Sequence, residues 1–251
     1  METIVIFTAA LVAGAINSVA GGGTLISFPA LLWIGRDPIV ANATNSVALW
    51  PASFAGMLGF RREMATIRRW LWLLTIPSVI GAALGAWLLL RTPSKTFEHI
   101  VPVLILSATL LLAAQEFISR RLGVIARAHE HPTIGWVTFV FLFQFIVGVY
   151  GGYFGAGQGI FLLGILGVAL AQDLQRTNGL KNLLAGLVNG VAGVYFVSTV
   201  HVEWAPAAVI AVTSMLGAHL GARYGQRLKP STLRSVIVVV GIIAIVNVVN
   251  G

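Results

Sequence analysis

Long apolar runs, separated by short charged stretches, predict a series of membrane-spanning helices. The runs are approximately 4–34, 42–60, 70–90, 100–118, 134–170, 179–197, 204–222 and 233–249. A polar stretch at 119–133 separates the fourth run from the fifth. Because about 20 apolar residues cross the hydrocarbon core of a bilayer, most of these runs have the length of a single span.

Two of the runs, 4–34 and 134–170, are too long for one straight crossing. The shorter would form a helix of about 46 Å, against a hydrocarbon core of about 30 Å. Glycine permits the backbone conformations at which a helix ends and the chain turns back. We therefore predict that each run is a hairpin of two short helices, broken near its middle at glycines: Gly21, Gly22 and Gly23 in the first, and Gly151, Gly152, Gly155, Gly157 and Gly159 in the second.

The two halves of the chain resemble each other in order. Residues 14–25 align with 148–159, Thr44-Asn45 with Thr177-Asn178, and the Gly-x-x-x-Gly motif at 81–85 with that at 217–221. Three matches at nearly constant spacing indicate an internal duplication. The predicted organisation is a first repeat at 1–118, a cytoplasmic linker at 119–133 and a second repeat at 134–251.

The distribution of basic residues favours the hairpins. If both long runs return to the side they came from, eleven basic residues, all within 61–69, 120–127 and 223–234, share one side. Only Arg36, Arg91 and Lys95 then lie opposite, a bias typical of the cytoplasmic face. Each half crosses an odd number of times, so the repeats are inverted. The predicted fold is an all-α polytopic membrane protein, an inverted repeat whose halves each have a glycine-broken hairpin plus three transmembrane helices.

Composition agrees with a membrane protein. Hydrophobic residues make up 57% of the chain and charged residues 10%, whereas soluble domains carry about 25% charged residues. The net charge of +8 is interpreted as loop charge rather than a nucleic-acid surface. The start of the chain has no basic stretch and is expected to be the first membrane segment, not a cleaved signal peptide. Without cysteine there is no thiolate metal site, and we expect no metal and no other cofactor; a homo-oligomer is left open.

Candidate binding residues lie at the glycine clusters and near the Thr-Asn pairs. Broken helices of an inverted repeat gather helix N termini near the midplane, a transporter plan that suits anions. Lys181 lies within an apolar run, where lysine is costly unless paired or functional. No Asp or Glu lies deep in any run, so a small anionic substrate is the expected partner besides the lipid bilayer. The predicted substrate-binding residues are Asn17, Gly21, Gly22, Gly23, Thr24, Thr44, Asn45, Gly155, Gly157, Gln158, Gly159, Thr177, Asn178, Lys181 and Asn182.

Structural interpretations of the same residues remain open. The glycines could serve close helix packing, the Thr-Asn pairs could cap helices, and Lys181 could extend to the membrane interface. Other polar residues in apolar runs, Gln144 and Asn189, are interpreted as hydrogen-bonding links between helices.

These motifs resemble the sulfite exporter TauE/SafE family of membrane permeases. The resemblance rests on 14–25 with Pro29 and Gly35, on Ala43-Thr44-Asn45, on 77–86, and on their second-half counterparts. It implies a multi-pass carrier in the plasma (inner) membrane for sulfite, organosulfonates or related sulfur-containing anions. At 155–159 the chain departs from an unbroken glycine run, and Gln158 is expected to tune the substrate.

We therefore expect a secondary transporter, with export as the expected direction, that works by alternating access around a midplane site. The sequence has no GxxxxGK[ST] motif and hence no ATPase of its own. An anion channel is one alternative, since repeated glycines can line a pore. A membrane-embedded enzyme is another, but neither an HExxH motif nor a buried acid–base cluster is found, so we expect no catalytic residue.

Overall fold

A computed structural model describes residues 2–61, 68–127, 133–170, 174–224 and Val239. Every regular element in these ranges is an α-helix, which agrees with the predicted class. In chain order the helices are α1 (Glu2–Ala20), α2 (Thr24–Trp33), α3 (Pro38–Leu58), α4 (Arg68–Arg91), α5 (Ser94–Arg127), α6 (Ile134–Tyr153), α7 (Gln158–Leu170), α8 (Leu174–Thr199) and α9 (Trp204–Tyr224).

The protein is a multi-pass membrane protein. Within the described ranges, α1, α4, α6, α8 and α9 each contain a stretch long and apolar enough to cross a bilayer. Helix α5 continues to Arg127, so part of the predicted linker is helical. The predicted final run at 233–249 lies outside the described residues apart from Val239, as do linker residues 128–132.

Both long apolar runs are broken into hairpins within the predicted glycine clusters, although Gly151 and Gly152 still belong to α6. Gly21 and Gly155 open the two turns with φ values of 81° and 75°, a left-handed conformation that glycine adopts without strain. The arms are unequal, however, and not two short helices. The first arms, α1 and α6, have 19 and 20 residues, whereas α2 and α7 have 10 and 13. Because each glycine cluster comes about 20 residues into its run, the first arm is long enough to span the core by itself.

Ion pairs place both ends of the first hairpin on one side of the molecule. Arg36, which follows α2, pairs with Glu2 at the start of α1 at 3.6 Å. It also pairs with Glu203, just before α9, at 2.8 Å. The chain therefore enters along α1 and returns along α2, as the hairpin prediction requires.

The long arm of each hairpin packs against a helix of the other half: α1 on α9, and α6 on α4. Glycines at equivalent positions allow the backbones to approach closely. They are Gly217, which lies against Leu11 and Ala15, and Gly81, which lies against Phe145 and Val149. The close-packing interpretation thus holds for the Gly-x-x-x-Gly motifs. The contact of α1 with α9 and the contact of α6 with α4 are equivalent, and each joins the two halves.

Helices α3 and α8 pack antiparallel between these pairs. Gly186 lies against Ser53, Gly190 against Trp50, and Gly193 against Val47. Residue numbers therefore rise along one helix as they fall along the other, and the two helices cross near Ser53 and Gly186. This register decides where the Thr-Asn pairs lie.

Candidate functional site

The two hairpin turns meet inside the protein. A Cβ atom built on Gly21 would lie 2.5 Å from the carbonyl carbon of Gly159, and one built on Gly159 would lie 2.5 Å from the Cα atom of Gly21. Residues 21–24 and 154–159 are all buried, and the rings of Phe28 and Phe154 pack edge to face at 5.2 Å. The structure thus brings the two glycine clusters together, away from the lipid-facing surface.

Each turn presents backbone donors at the start of a short arm. Within the described chain, the N–H groups of Gly22, Gly23 and Thr24 at the start of α2 have no hydrogen-bond acceptor, and neither have those of Gly157 and Gly159 at the start of α7. Such groups carry the partial positive charge of a helix N terminus and favour an anion. Free backbone donors, the groups expected to favour an anion, therefore lie at both hairpin tips, which are residues 21–24 and 154–159.

Lys181 binds the end of the first long arm. Its Nζ donates hydrogen bonds to the carbonyl oxygens of Asn17 at 2.7 Å and Ser18 at 3.0 Å, and Asn182 Nδ2 donates to the Ser18 oxygen at 3.2 Å. Lys181 is only 1% exposed, so it does not extend to the interface. These contacts use two of the three ammonium donors and offset the negative C-terminal end of α1.

Gln158 and Asn42 hold the second tip. Gln158 Nε2 donates to Asn189 Oδ1 at 2.9 Å, which ties the start of α7 to α8. Asn42 of α3 donates from Nδ2 to the carbonyl oxygen of Tyr153, the last residue of α6, at 3.0 Å. Both tips are therefore fastened to the antiparallel pair α3 and α8.

The two Thr-Asn pairs do not border one point. In the antiparallel register, Asn45 and Asn178 lie about 25 Å apart along the helix axes, on opposite sides of the crossing at Ser53. The Thr44 hydroxyl accepts a hydrogen bond from the Glu203 backbone N–H at 3.2 Å, while Thr177 is buried in α8. The expectation that all four residues surround one midplane point does not match this geometry, because the antiparallel packing of α3 and α8 places the two Thr-Asn pairs at opposite ends of the helix pair.

Asn42 and Asn189 contact the tips but were not among the predicted binding residues. Asn42 precedes Asn45 by three residues, so both lie on one face of α3; this spacing was the available signal. Asn189 links Gln158 to α8, and Gln144 Nε2 donates to Ser78 Oγ at 2.8 Å between α6 and α4. The interpretation of Gln144 and Asn189 as links between helices agrees with these contacts. Over the described residues, no group of three or more His, Asp or Glu side chains could hold a metal ion.

Comparison with known proteins agrees with this architecture. The family model described as sulfite exporter TauE/SafE matches residues 6–248. A "probable membrane transporter protein" of Haemophilus influenzae is 27% identical over 94% of this chain and 89% of its own length. The "probable membrane transporter protein ORF9" of a Sinorhizobium species is 29% identical over 94% of this chain and 88% of its own length. YfcA of Escherichia coli K12, also named a probable membrane transporter protein, is 27% identical over 94% of this chain and 85% of its own length.

No solved structure matches this chain significantly. The family match nevertheless covers nearly the whole chain, including both hairpins and both Gly-x-x-x-Gly motifs. The chain therefore belongs to the sulfite exporter TauE/SafE family and is a multi-pass membrane transporter of that type.

Proposed function

We propose that the protein is a secondary transporter that exports a small sulfur-containing anion, such as sulfite or an organosulfonate. The observation that carries the proposal is the meeting of two hairpin tips, Gly21 against Gly159, inside the protein. The description of the matching family supports sulfite and export. The direction and the particular anion are part of the proposal.

Positive charge without a matching carboxylate supports an anionic substrate. Lys181 and the free N–H groups at the starts of α2 and α7 supply donors, and one ammonium donor of Lys181 has no acceptor within the described chain. An oxyanion accepts charge-assisted hydrogen bonds from such groups. The two Thr-Asn pairs are proposed to line the approaches from either end of α3 and α8. The substrate-binding set proposed at the tips is Asn17, Gly21, Gly22, Gly23, Thr24, Gly155, Gly157, Gln158, Gly159, Lys181 and Asn182.

The interlocking of the two halves supports alternating access as the mechanism. Each long arm packs on a helix of the other half, α1 on α9 and α6 on α4. Movement of one half against the other would therefore shift the two hairpin tips relative to each other. Inverted repeats typically rock in this way around a fixed midplane site. The contact of α1 with α9 corresponds to the contact of α6 with α4. This correspondence supports two equivalent end states, open to opposite sides of the membrane.

Flux through the purified protein in liposomes tests the proposal. We expect saturable uptake of radiolabelled sulfite, competition by sulfoacetate but not by acetate, and faster uptake when unlabelled sulfite is loaded inside. A channel would show no such acceleration by internal substrate, and an enzyme would return a chemically altered product. Uptake equal to that of empty liposomes across sulfite, sulfonates and sulfate would refute the proposed substrate class.

A further inference from the structure

The C-terminal ends of the two long arms, α1 and α6, both lie inside the protein but have different partners. At the end of α1, the Lys181 ammonium binds the carbonyl oxygens of Asn17 and Ser18. Aligning the two Thr-Asn pairs places Ala48, a buried residue of α3, at the position equivalent to Lys181. The end of α6 therefore has no lysine at the position equivalent to Lys181.

Several oxygen atoms at the end of α6 have no hydrogen-bond donor. Gly151 and Gly152 are the equivalents of Asn17 and Ser18, and neither carbonyl oxygen accepts a hydrogen bond within the described part of the chain. Asn42 Oδ1 and Gln158 Oε1 are also buried without a donor in the described chain. Asn42 is held there by its bond to the Tyr153 carbonyl oxygen at 3.0 Å, and Gln158 Oε1 occupies the space that a Cβ atom on Gly151 would fill.

The side chains themselves are fully enclosed. Asn42 is 1% and Gln158 4% exposed, and a buried carbonyl oxygen without a donor is destabilising. These two oxygens, together with the carbonyl groups at the negative end of α6, favour a cation. Helix C-terminal ends and freed carbonyls inside membrane proteins are ligands for Na⁺ in transporters of this general plan.

We infer that a monovalent alkali cation binds at the C-terminal end of α6, between Asn42 and Gln158, where it takes the place that the Lys181 ammonium has at the end of α1. The proposed ligands are all neutral oxygens, whereas sites for divalent cations use carboxylates. The ammonium of Lys181, which is fixed to the chain at the end of α1, thus corresponds to an exchangeable cation at the end of α6. The site stands without the substrate; its use as a driving ion rests on the proposed function.

Thermal unfolding of the purified full chain in detergent tests the site. We expect Tm to rise with concentration and to saturate in sodium chloride or potassium chloride, but not in choline chloride of equal ionic strength, because a ligand of the folded state stabilises it by mass action. Equal Tm values in all three salts would overturn the inference, leaving water to satisfy the oxygens.

Variants locate the cation. Asn42→Ala should abolish the sodium or potassium response, whereas Gln144→Ala, which removes a buried carboxamide elsewhere, should retain it. Ala48→Lys should raise Tm in choline chloride and remove the response to added sodium, because a tethered ammonium then occupies the site. If Asn42→Ala does not fold, Asn42→Asp should lower the half-saturating sodium concentration several-fold. An unchanged response in Asn42→Ala or Asn42→Asp would overturn the assignment.

Flux measurements separate the site from its role. A sodium or potassium gradient should change the rate of sulfite uptake into liposomes, and Ala48→Lys should make that rate independent of the gradient. Stabilisation by the cation without any effect on flux would support the site and overturn the coupling. If the unmodified protein transports no sulfite but is still stabilised by sodium or potassium, the proposed function is refuted and the cation site is retained.

Discussion

At the scale of single residues, Lys181 shows how a buried cation is stabilised without a carboxylate. Its partners are main-chain oxygens of Asn17 and Ser18, more than 160 positions away in the sequence. That a lysine in this apolar run is functional or paired could be predicted from its cost in lipid. Its partners could not, because main-chain carbonyls become free only where a helix ends, and the sequence does not show which end lies beside α8.

Replacing Lys181 tests its proposed contact with the anion. Lys181→Ala should weaken anion binding by about 1–3 kcal/mol, the range of a charge-assisted hydrogen bond, and Lys181→Arg should retain part of it. The measurement is the half-saturating sulfite concentration for uptake into liposomes. Lys95→Ala, which removes an exposed lysine, is the control. Normal uptake at low sulfite concentration in Lys181→Ala would restrict Lys181 to holding α1.

Two glycines with the same backbone conformation separate strain from packing. Gly21 and Gly35 have φ values of 81° and 80°, so alanine at either position is strained by about 1–2 kcal/mol. Nothing lies within 4 Å of a Cβ atom on Gly35, whereas one on Gly21 meets the Gly159 backbone. Gly21→Ala should therefore lower Tm in detergent well beyond Gly35→Ala. Equal losses would show that the tips are not in contact.

At the scale of helices, glycine position predicted where the hairpins break but not how long their arms are. The clusters lie near the middle of each apolar run, which favoured two short helices. In the structure α1 extends from Glu2 to Ala20, because the glycine cluster comes about 20 residues after the run begins and leaves room for a full-length first arm.

Helix packing across the halves makes equivalent glycines equally sensitive. A Cβ atom on Gly85 would overlap the Val149 carbonyl oxygen, and one on Gly221 would overlap that of Ala15, whereas nothing lies within 4 Å at Gly164. Gly85→Ala and Gly221→Ala should both lower Tm, since α4 and α6, or α9 and α1, must move apart. Gly164→Ala should leave Tm unchanged or raise it, because alanine is favoured over glycine inside a helix by about 1 kcal/mol. Tolerance at Gly221 alone would argue against equivalent packing of the halves.

At the scale of the whole molecule, the duplication indicated which elements correspond but not where the halves cross. The crossing of α3 and α8 near Ser53 and Gly186 places Asn45 and Asn178 at opposite ends of the pair. Only the position of the crossing decides whether repeated residues meet or separate, and sequence similarity carries no information on it. The division at 119–133 and the inverted orientation of the repeats stay predictions.

Orientation in the membrane can be measured with single cysteines, because the native chain has none. Residues 200–203 lie on the face where Arg36 pairs with Glu203, which the basic residues predict to be external. A membrane-impermeant maleimide should label His201→Cys on intact cells. Ile134→Cys, an exposed position at the start of α6, should be labelled only after the cells are permeabilised. The reverse pattern would invert the topology.

Evolutionary change at the hairpin tips is restricted by the contact of Gly21 with Gly159. Any other residue at either position adds a carbon atom where the opposite backbone already lies, 2.5 Å away, and no second mutation can make glycine smaller. These two positions cannot diverge in steps. We therefore expect changes of substrate to arise at neighbouring positions that carry a side chain, such as Gln158, which already differs from Thr24 at the equivalent position.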